Sequence, residues 1–324
     1  MGNIKEFMEQ AKVEILEYLP EDIRNDLTIE DARVVKMNDQ VLYGLTMKRS
    51  NEECAPAIYM NDLYRRFNNG EPFNSLMSEA VFDYLNAVSV TPPEITTMDL
   101  SFDNIKDDLT LKLVEIRRNR EYLSEVPYVK AGNGFAIVCD IKLDDGDAGQ
   151  YRTTVTRNLM NEMNYDMQEL FSTAIESAQL KDPAVMNSVR SQLLYTDEPN
   201  LLKGQDVIED DQKDNMYVIT NPDCLYGAIA LYYPGIQEKI AERLGENYYV
   251  IPSSVNEMLA IPESKAPEIQ EIAAMVYEAN ENLLDPKEVL SNNIFYFDKD
   301  TNRLETIHSE MFRGINSQEQ ELRS

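Results

Sequence analysis

Two consecutive serines, Ser253 and Ser254, are the side chains in this sequence best placed for nucleophilic chemistry. They follow the apolar run NYYVI, and Asn256 and Glu257 come directly after them. Ligands are often met at the end of a strand, so the sequence predicts a ligand or partner contact at Ser253, Ser254 and Glu257. No G-x-S-x-G elbow surrounds these serines, and Pro-Ser-Ser is also typical of turns, so a turn or helix-cap role is the alternative.

The single histidine, His308, limits the catalytic sites that the chain can build. A Ser-His-Asp or Cys-His site would have to use it, and mechanisms that need two histidines are excluded by count. Because it lies beside a polar tail, we expect an exposed residue and not a catalytic base. The run Asp298–Asn302 has the spacing that opens a calcium loop, but Arg303 and Ser309 stand where such a loop needs Gly and Glu. The sequence therefore predicts a hairpin turn there and no metal site.

Motifs for nucleotide binding are also missing from the sequence. Neither G-x-x-x-x-G-K-[ST] nor G-x-G-x-x-G occurs, so we predict no cofactor bound through a phosphate loop. Carboxylates are abundant, but 58 acidic residues do not single out one acid–base pair.

Acidic residues outnumber basic ones by 58 to 30, which gives a net charge of −28. Residues 1–216 carry 22 basic and 40 acidic side chains, and residues 217–324 carry 8 and 18. Such an even excess is typical of a solvated surface. It argues against direct binding to nucleic acids or to an anionic membrane, because phosphates need clustered Lys and Arg, and the only local excess lies within 112–120.

The compartment is indicated by the cysteines and by the apolar runs. Cys54, Cys139 and Cys224 are odd in number and far apart, which is typical of reduced thiols in the cytoplasm. No run approaches about 18 uninterrupted apolar residues, so we expect no membrane-spanning helix. The first residues, MGNIKEFMEQ, do not have the pattern of a signal peptide.

Apolar periodicity predicts both helices and strands along the chain. Helices are expected at 4–19, 57–67, 75–88, 167–178, 235–244 and from 267 onward. Strands are expected in a hairpin over 33–47, in the strand-rich stretch 109–157, and in the runs MYVIT, GAIALYY, NYYVI, EMLAI and NNIFYF. Helices and hairpins alternate irregularly, which predicts an α+β fold with mixed or antiparallel sheets and packed amphipathic helices in two lobes.

The predicted organisation has five parts. Residues 196–215 contain seven acidic side chains and two lysines, which is typical of a solvated linker or long loop. The parts are a mainly helical region with a β-hairpin (1–100), an α+β region (101–195), the acidic linker or loop (196–215), an α+β module (216–308) and a polar tail (309–324).

Tyrosines are concentrated after the acidic segment. Tyrosine at exposed strand positions is common in protein interfaces, but we favour the reading that one tyrosine of each adjacent pair faces the core. The five concerned are Tyr226, Tyr232, Tyr233, Tyr248 and Tyr249.

Four short motifs stand out in the second half of the chain: Thr220-Asn221, Gly227-Ala228, Ile251-Pro252-Ser253-Ser254 and Leu290-Ser291. Together they resemble a family of proteins of unknown function from anaerobic Gram-positive bacteria. The resemblance covers roughly residues 100–305 and implies a cytosolic location and a fold, but no reaction. The chain has Asn256 where members often have His, and Asn292 where they often have Asp, which argues against catalysis by those groups. Asn221, which lies in the first of these motifs, is predicted to contact a ligand or partner together with Ser253, Ser254 and Glu257.

Taken together, these patterns favour a cytoplasmic protein that binds another protein and catalyses no reaction. One rival is a hydrolase-like enzyme that uses Ser253 or Ser254, which requires a base and oxyanion donors near a serine hydroxyl. The second rival is an acidic mimic that occupies a protein's nucleic-acid site. That role requires two rows of carboxylates at phosphate-like spacing on one face.

Overall fold

The computed structural model describes residues 3–49, 57–90, 99–146, 149–194 and 199–307. The chain forms two units, Met1–Asp99 and Leu100–Ser324. Helices and antiparallel sheets are interspersed in sequence, which confirms the predicted α+β fold. No helix within the described ranges is long and apolar enough to cross a membrane. His308 and Cys54 lie outside the described residues.

The first unit packs helices onto a three-stranded sheet of order β1-β2-β3. Its elements are α1 (Ile4–Tyr18), α2 (Glu21–Arg24), β1 (Leu27–Lys36), β2 (Gln40–Arg49), β3 (Ala57–Tyr59), α3 (Asn61–Asn68) and α4 (Phe73–Val90). The Asn3 side chain caps α1 by accepting a hydrogen bond from the Glu6 N–H at 3.0 Å. The predicted hairpin is confirmed and turns at Asn38 and Asp39, whose φ values are +59° and +51°.

The helix predicted over 57–67 is partly wrong. Residues Ala57–Tyr59 form an edge strand in which Ile58 pairs with Leu45, and the helix begins only at Asn61. The Asn61 side chain accepts a hydrogen bond from the Tyr43 N–H at 2.7 Å, which ties the helix start to β2. Tertiary pairing has here overridden a local helical pattern.

The second unit contains two antiparallel sheets with helices between their strands. Its strands are β4 (Leu109–Glu115), β5 (Tyr128–Gly132), β6 (Phe135–Gly146), β7 (Gly149–Thr154), β8 (Val185–Ser188), β9 (Tyr217–Thr220), β10 (Tyr248–Ser254), β11 (Glu257–Pro262), β12 (Ile294–Asp298) and β13 (Arg303–Ile307). Its α-helices are α5 (Phe102–Ile105), α6 (Tyr122–Glu125), α7 (Arg157–Glu162), α8 (Met167–Lys181), α9 (Val189–Leu193), α10 (Ile236–Leu244) and α11 (Ile269–Asn282).

The smaller of these sheets is built around β6. One edge of β6 pairs with β4, and its other edge pairs first with β5 and then with β7. The larger sheet has six strands in the order β13-β12-β10-β11-β9-β8. The turn between β12 and β13 confirms the predicted hairpin, because the Asp298 carboxylate accepts hydrogen bonds from the N–H groups of Asp300 and Thr301.

The strand predicted for GAIALYY is wrong, because Gly227–Tyr232 forms a 3-10 helix. A Cβ added at Gly227 would lie 2.2 Å from Oγ1 of Thr220 and 2.7 Å from the carbonyl oxygen of Asn256. The start of this segment is therefore wedged against the end of β9 and the turn after β10. A short buried apolar run does not distinguish the two conformations by periodicity.

The acidic segment lies between two paired strands of the larger sheet, since β8 precedes it and β9 follows it. It is held against α10: the Ile208 N–H donates to the carbonyl of Arg243 at 2.8 Å, and Lys213 pairs with Glu246 at 2.7 Å. The predicted linker or loop at 196–215 therefore connects two neighbouring strands of the same sheet. Independent folding of 216–308 stays a prediction.

Candidate functional site

Three of the predicted contact residues flank the turn between β10 and β11, Ser253 and Ser254 at the end of β10 and Glu257 at the start of β11. The Ser253 hydroxyl donates to the Glu257 carboxylate at 2.9 Å, and the Ser254 hydroxyl accepts from the Asn256 N–H at 3.0 Å. Ser254 is buried and Ser253 is half-buried. Both hydroxyls therefore have the contacts expected of turn residues. A ligand contact at these positions stays a prediction.

The fourth predicted residue, Asn221, closes the loop that follows β9. Its side chain accepts from the Leu225 N–H at 3.1 Å and donates to the Leu225 carbonyl at 3.0 Å. Within this loop Cys224 and Tyr226 have φ values of +51° and +54°, which are uncommon for residues other than glycine. The Asn256 side chain accepts from the Tyr226 N–H at 2.9 Å. The two turns thus meet at Asn256 and together fix the position of Tyr226.

The Tyr226 ring lies near Lys112 and Arg152, which belong to a group of polar side chains on the sheet around β6. Thr110 of β4 pairs with Asp140 of β6, and Asp140 pairs with Thr154 of β7. Residues directly opposite each other in a sheet point to the same face, so these three side chains form one row across the sheet. Lys112 lies on that face as well, two residues beyond Thr110. We call Thr110, Lys112, Asp140, Arg152 and Thr154 the polar centre.

Lys112 and Asp140 form a buried ion pair in the polar centre. The ammonium nitrogen lies 2.8 Å from Oδ1 and 2.9 Å from Oδ2 of Asp140, and 2.9 Å from the Thr154 hydroxyl. The two charged side chains are only 6% and 5% exposed. The ammonium group also lies 5.6 Å from the ring centroids of both Tyr122 and Tyr226, within the range of cation–π attraction.

The protonation state of Lys112 follows from these contacts. Burial is the largest single influence and lowers the pKa of the ammonium group, but the electrostatic attraction of Asp140 and Tyr122 and the hydrogen bonds to both together outweigh it and raise the pKa overall. Lys112 is therefore protonated at neutral pH. A protonated lysine paired with a carboxylate has no free electron pair, so it acts neither as a nucleophile nor as a general base.

Arg152 extends the polar centre towards the chain after α8. Its guanidinium donates to the Thr110 hydroxyl at 3.1 Å and lies 6.0 Å from the Tyr226 ring centroid. The half-buried Asp182 lies close enough to Arg152 for its carboxylate to interact with the guanidinium charge. Burial raises the pKa of Asp182, and Arg152 partly reverses that shift. Burial likewise raises the pKa of Tyr233, to which the charge of Asp182 adds.

The thiol of Cys139, beside the polar centre, is buried and unreactive. Cys139 precedes Asp140 on β6 and is fully buried. Burial raises the pKa of this thiol well above its ordinary value, so the reactive thiolate does not form at neutral pH. Within the described ranges, no group of three or more His, Cys, Asp or Glu side chains is arranged to hold a metal ion.

Comparison with known proteins gives a family but no activity. The model of a family of unknown function, DUF5688, matches residues 4–299. The chain belongs to the DUF5688 family. The match confirms the resemblance to an uncharacterised family and extends it from the predicted 100–305 into the first hundred residues. No curated protein and no solved structure shows significant similarity to the chain.

A second buried polar contact in this DUF5688 chain involves the Leu290-Ser291 motif. Glu115, at the end of β4, is 4% exposed and accepts a hydrogen bond from the Ser291 hydroxyl at 3.0 Å. The Arg118 guanidinium lies 3.2 Å from the same carboxylate. The buried Asn119 side chain donates to the Glu115 carbonyl at 2.8 Å. These contacts attach the segment before β12 to the other sheet, which is a structural role.

Sequence reasoning missed Lys112, Asp140 and Glu115, although a signal was present. Each is a charged residue within an apolar run, LTLKLVEI or FAIVCDI, that otherwise predicts a buried strand. Buried charges are almost always paired, so two such strands with opposite charges indicate an ion pair between them.

Proposed function

We propose that this DUF5688 chain is a binding protein that catalyses no reaction. The observation that carries the proposal is the neutralisation of its buried ionisable groups. Lys112 is paired with Asp140, and Glu115 with Arg118 and Ser291. Catalytic groups need a pKa near the working pH and a free electron pair or proton aimed at a substrate. Here the buried charges face each other, which is typical of structural pairs.

The contacts of Ser253 and Ser254 support the same proposal over the hydrolase-like alternative. An activated serine donates its proton to a base and points at an oxyanion site. The Ser253 hydroxyl donates to Glu257 within the turn, and Ser254 serves as an acceptor for a backbone N–H. A carboxylate beside a serine without an intervening imidazole is a weak base for this purpose.

A fluorophosphonate probe that labels activated serines tests this point directly. We expect no labelling of the wild-type chain and therefore no difference from Ser253→Ala or Ser254→Ala, with a known serine hydrolase as positive control. Stoichiometric labelling that Ser253→Ala or Ser254→Ala abolishes would overturn the non-catalytic proposal.

We further propose that the binding partner is a protein. Support comes from large apolar side chains exposed on an otherwise acidic chain. Leu193 and Leu194, consecutive at the end of α9, are 74% and 61% exposed. Neighbouring exposed leucines are costly in water and are typical of contact surfaces between proteins.

Affinity capture from the native cell tests the protein partner. The full chain and a Leu193→Ser/Leu194→Ser variant serve as baits, with Leu283→Ser as matched control because Leu283 is 78% exposed elsewhere on the unit. We expect a stoichiometric partner to be retained by the wild type and by the control and lost by the double variant. Equal recovery with all three baits would contradict a contact at Leu193 and Leu194.

The proposal also places the protein in the cytoplasm of a bacterium. The net charge of −28 disfavours attachment to an anionic membrane. Burial keeps the Cys139 thiol unreactive, so this cysteine suits a reducing compartment without a disulfide partner. Cell fractionation with an antibody against the chain tests it, and recovery in the membrane or secreted fraction would contradict it.

A further inference from the structure

A cleft of about 230 Å³ lies in the second unit, where α8, β8 and α10 approach one another. Its walls also include the 3-10 helix Leu201–Lys203. Half of the lining is apolar and half polar or charged. Its lining includes Pro183, Leu202, Lys203, Tyr233, Ile236 and Lys239.

The walls of this cleft are held in place by a side chain that makes three hydrogen bonds. Asn200 accepts from the N–H groups of Met186 and Leu202, each at 3.0 Å, and donates to the carbonyl of Ala184 at 2.9 Å. These bonds tie the 3-10 helix to β8. A cleft with such fixed walls needs little reorganisation to bind a ligand, which favours affinity.

The opposite wall of the cleft, formed by α10, is also attached to the 3-10 helix Leu201–Lys203. The Arg243 guanidinium, near the end of α10, donates to the carbonyl of Leu201 at 2.7 Å. A Cβ added at Gly204 would lie 2.6 Å from the guanidinium carbon, so the two segments are in close contact. Because Asn200 and Arg243 hold both sides, the spacing between Lys203 and α10 is set by the fold.

The charge of the cleft is the reverse of the charge of the chain. Lys203 and Lys239 line it, and no acidic side chain is present among its described lining residues, in a chain with net charge −28. Both lysines are exposed, and neither makes an ion pair or hydrogen bond with any described residue. Two unpaired cations at one cleft favour an anion.

Two further polar groups are available to a ligand at the cleft: the Tyr233 hydroxyl and the N–H groups at the start of α10. Tyr233 is only 5% exposed, yet its hydroxyl has no hydrogen-bond partner among the described residues. The hydroxyl oxygen itself is open to solvent, so it is free to donate to a ligand in the cleft. The first turn of α10 also lines the cleft, and its N-cap residue, Gly235, provides no side-chain cap. Uncapped N–H groups at a helix start attract negative charge.

We infer that this cleft binds a small organic anion. Lys203 and Lys239 would pair with its carboxylate or phosphate group, and Leu202, Pro183 and Ile236 would pack against its hydrocarbon part. The volume lies below the range of roughly 300–1,000 Å³ that holds drug-sized ligands, so the ligand has only a few carbon atoms. This site is separate from the proposed protein contact at Leu193 and Leu194.

Calorimetric titration of the full chain tests the inference with three probes of similar size. Butyrate and glycerol 3-phosphate carry the two kinds of anionic group, and butyramide has the shape of butyrate without the charge. We expect at least one anion to bind with a dissociation constant of about 1 mM or tighter, and butyramide not to bind. The anion that binds more tightly identifies the charged group of the natural ligand.

Three variants assign that binding to the cleft. We expect Lys203→Gln and Lys239→Gln each to weaken it by about tenfold, which corresponds to the loss of one ion pair. Lys130→Gln is the matched control, because Lys130 is exposed on β5 outside the cleft. It should bind like the wild type. All three changes are at exposed side chains, so unchanged melting temperatures are expected.

Three results would overturn the inference. They are the absence of binding by both anions, equal binding of butyramide, and equal weakening by Lys130→Gln. None of them bears on the capture of a protein partner, so this site and the proposed function fail or succeed separately.

Discussion

Removing one member of the buried Lys112–Asp140 pair should be among the most damaging single changes in the second unit. Both side chains are at most 6% exposed, so Lys112→Met leaves the Asp140 carboxylate buried without its cation. An unpaired buried charge of this kind costs about 3–5 kcal/mol of unfolding free energy. We expect the same range for Asp140→Leu, which leaves the ammonium group buried.

The double variant Lys112→Met/Asp140→Leu separates charge from packing. It removes both charges and keeps similar side-chain volumes, so we expect it to lie within about 1–2 kcal/mol of the wild type. The single costs are then strongly non-additive, which identifies a direct interaction. The matched control is Lys287→Met: this lysine pairs with Asp285 at 3.1 Å, but the two side chains are 60% and 47% exposed. We expect no measurable loss there.

Urea unfolding followed by circular dichroism measures all four variants, and two-dimensional NMR spectra check that each remains folded without denaturant. Costs below about 1 kcal/mol for both single variants would show that the pair is solvated. A double variant as unstable as the sum of the two singles would show that the positions contribute through packing, with no mutual neutralisation. Either result would also remove the main support for a non-catalytic role.

Three further predictions concern residues around the polar centre. Asp182→Asn should raise the free energy of unfolding at neutral pH, because burial raises the pKa of the Asp182 carboxyl and thus disfavours its charged form. The wild type is destabilised as pH rises through the folded pKa of Asp182, whereas the variant is not. The difference in melting temperature should therefore vanish below about pH 3.9, where the carboxyl is protonated in both the folded and the unfolded chain. Tyr226→Leu should cost about 1–2 kcal/mol in urea unfolding through lost cation–π contacts, whereas Tyr226→Phe should be nearly neutral. Gly227→Ala should cost about 1–3 kcal/mol or more, since its Cβ meets fixed atoms of Thr220 and Asn256; an unchanged melting temperature would contradict the wedged position.

Local patterns predicted those elements whose own sequence determines them. The helix around Met167–Lys181 has apolar residues at helical spacing, and four of them are buried in the structure. The end of α10 at Leu244 confirms the predicted bound of 244, and Gly245 follows it with a φ of +72°, a conformation that favours glycine after a helix. The preference for one core-facing tyrosine in each adjacent pair is confirmed for Tyr248 and Tyr249. It is wrong for Tyr232 and Tyr233, because Tyr233 is buried and the Tyr232 hydroxyl is buried as well.

Charged residues in apolar runs signal buried pairs, but the sequence does not give the strand register that decides which charges meet. Lys112 and Asp140 are 28 residues apart, and they meet because Thr110 lies opposite Asp140 in the β4–β6 pair. Moving that register by one residue would place Asp140 on the other face. The cleft at Lys203 and Lys239 is likewise formed by three segments that only the tertiary fold brings together.

The predicted contact residues support Tyr226 through the chain of hydrogen bonds that meets at Asn256. The Ser254 hydroxyl accepts from the Asn256 N–H, and the Asn256 side chain in turn accepts from the N–H of Tyr226. Tyr226 covers the Lys112 ammonium group, which is neutralised by Asp140. The motif around Ser253 and Ser254 therefore has a structural reason to exist that requires no reaction, because it maintains the ring that shields a buried charge from water. A ligand that displaced Tyr226 would have to replace its cation–π contacts, so small-molecule binding is expected at the open, unpaired lysines of the cleft.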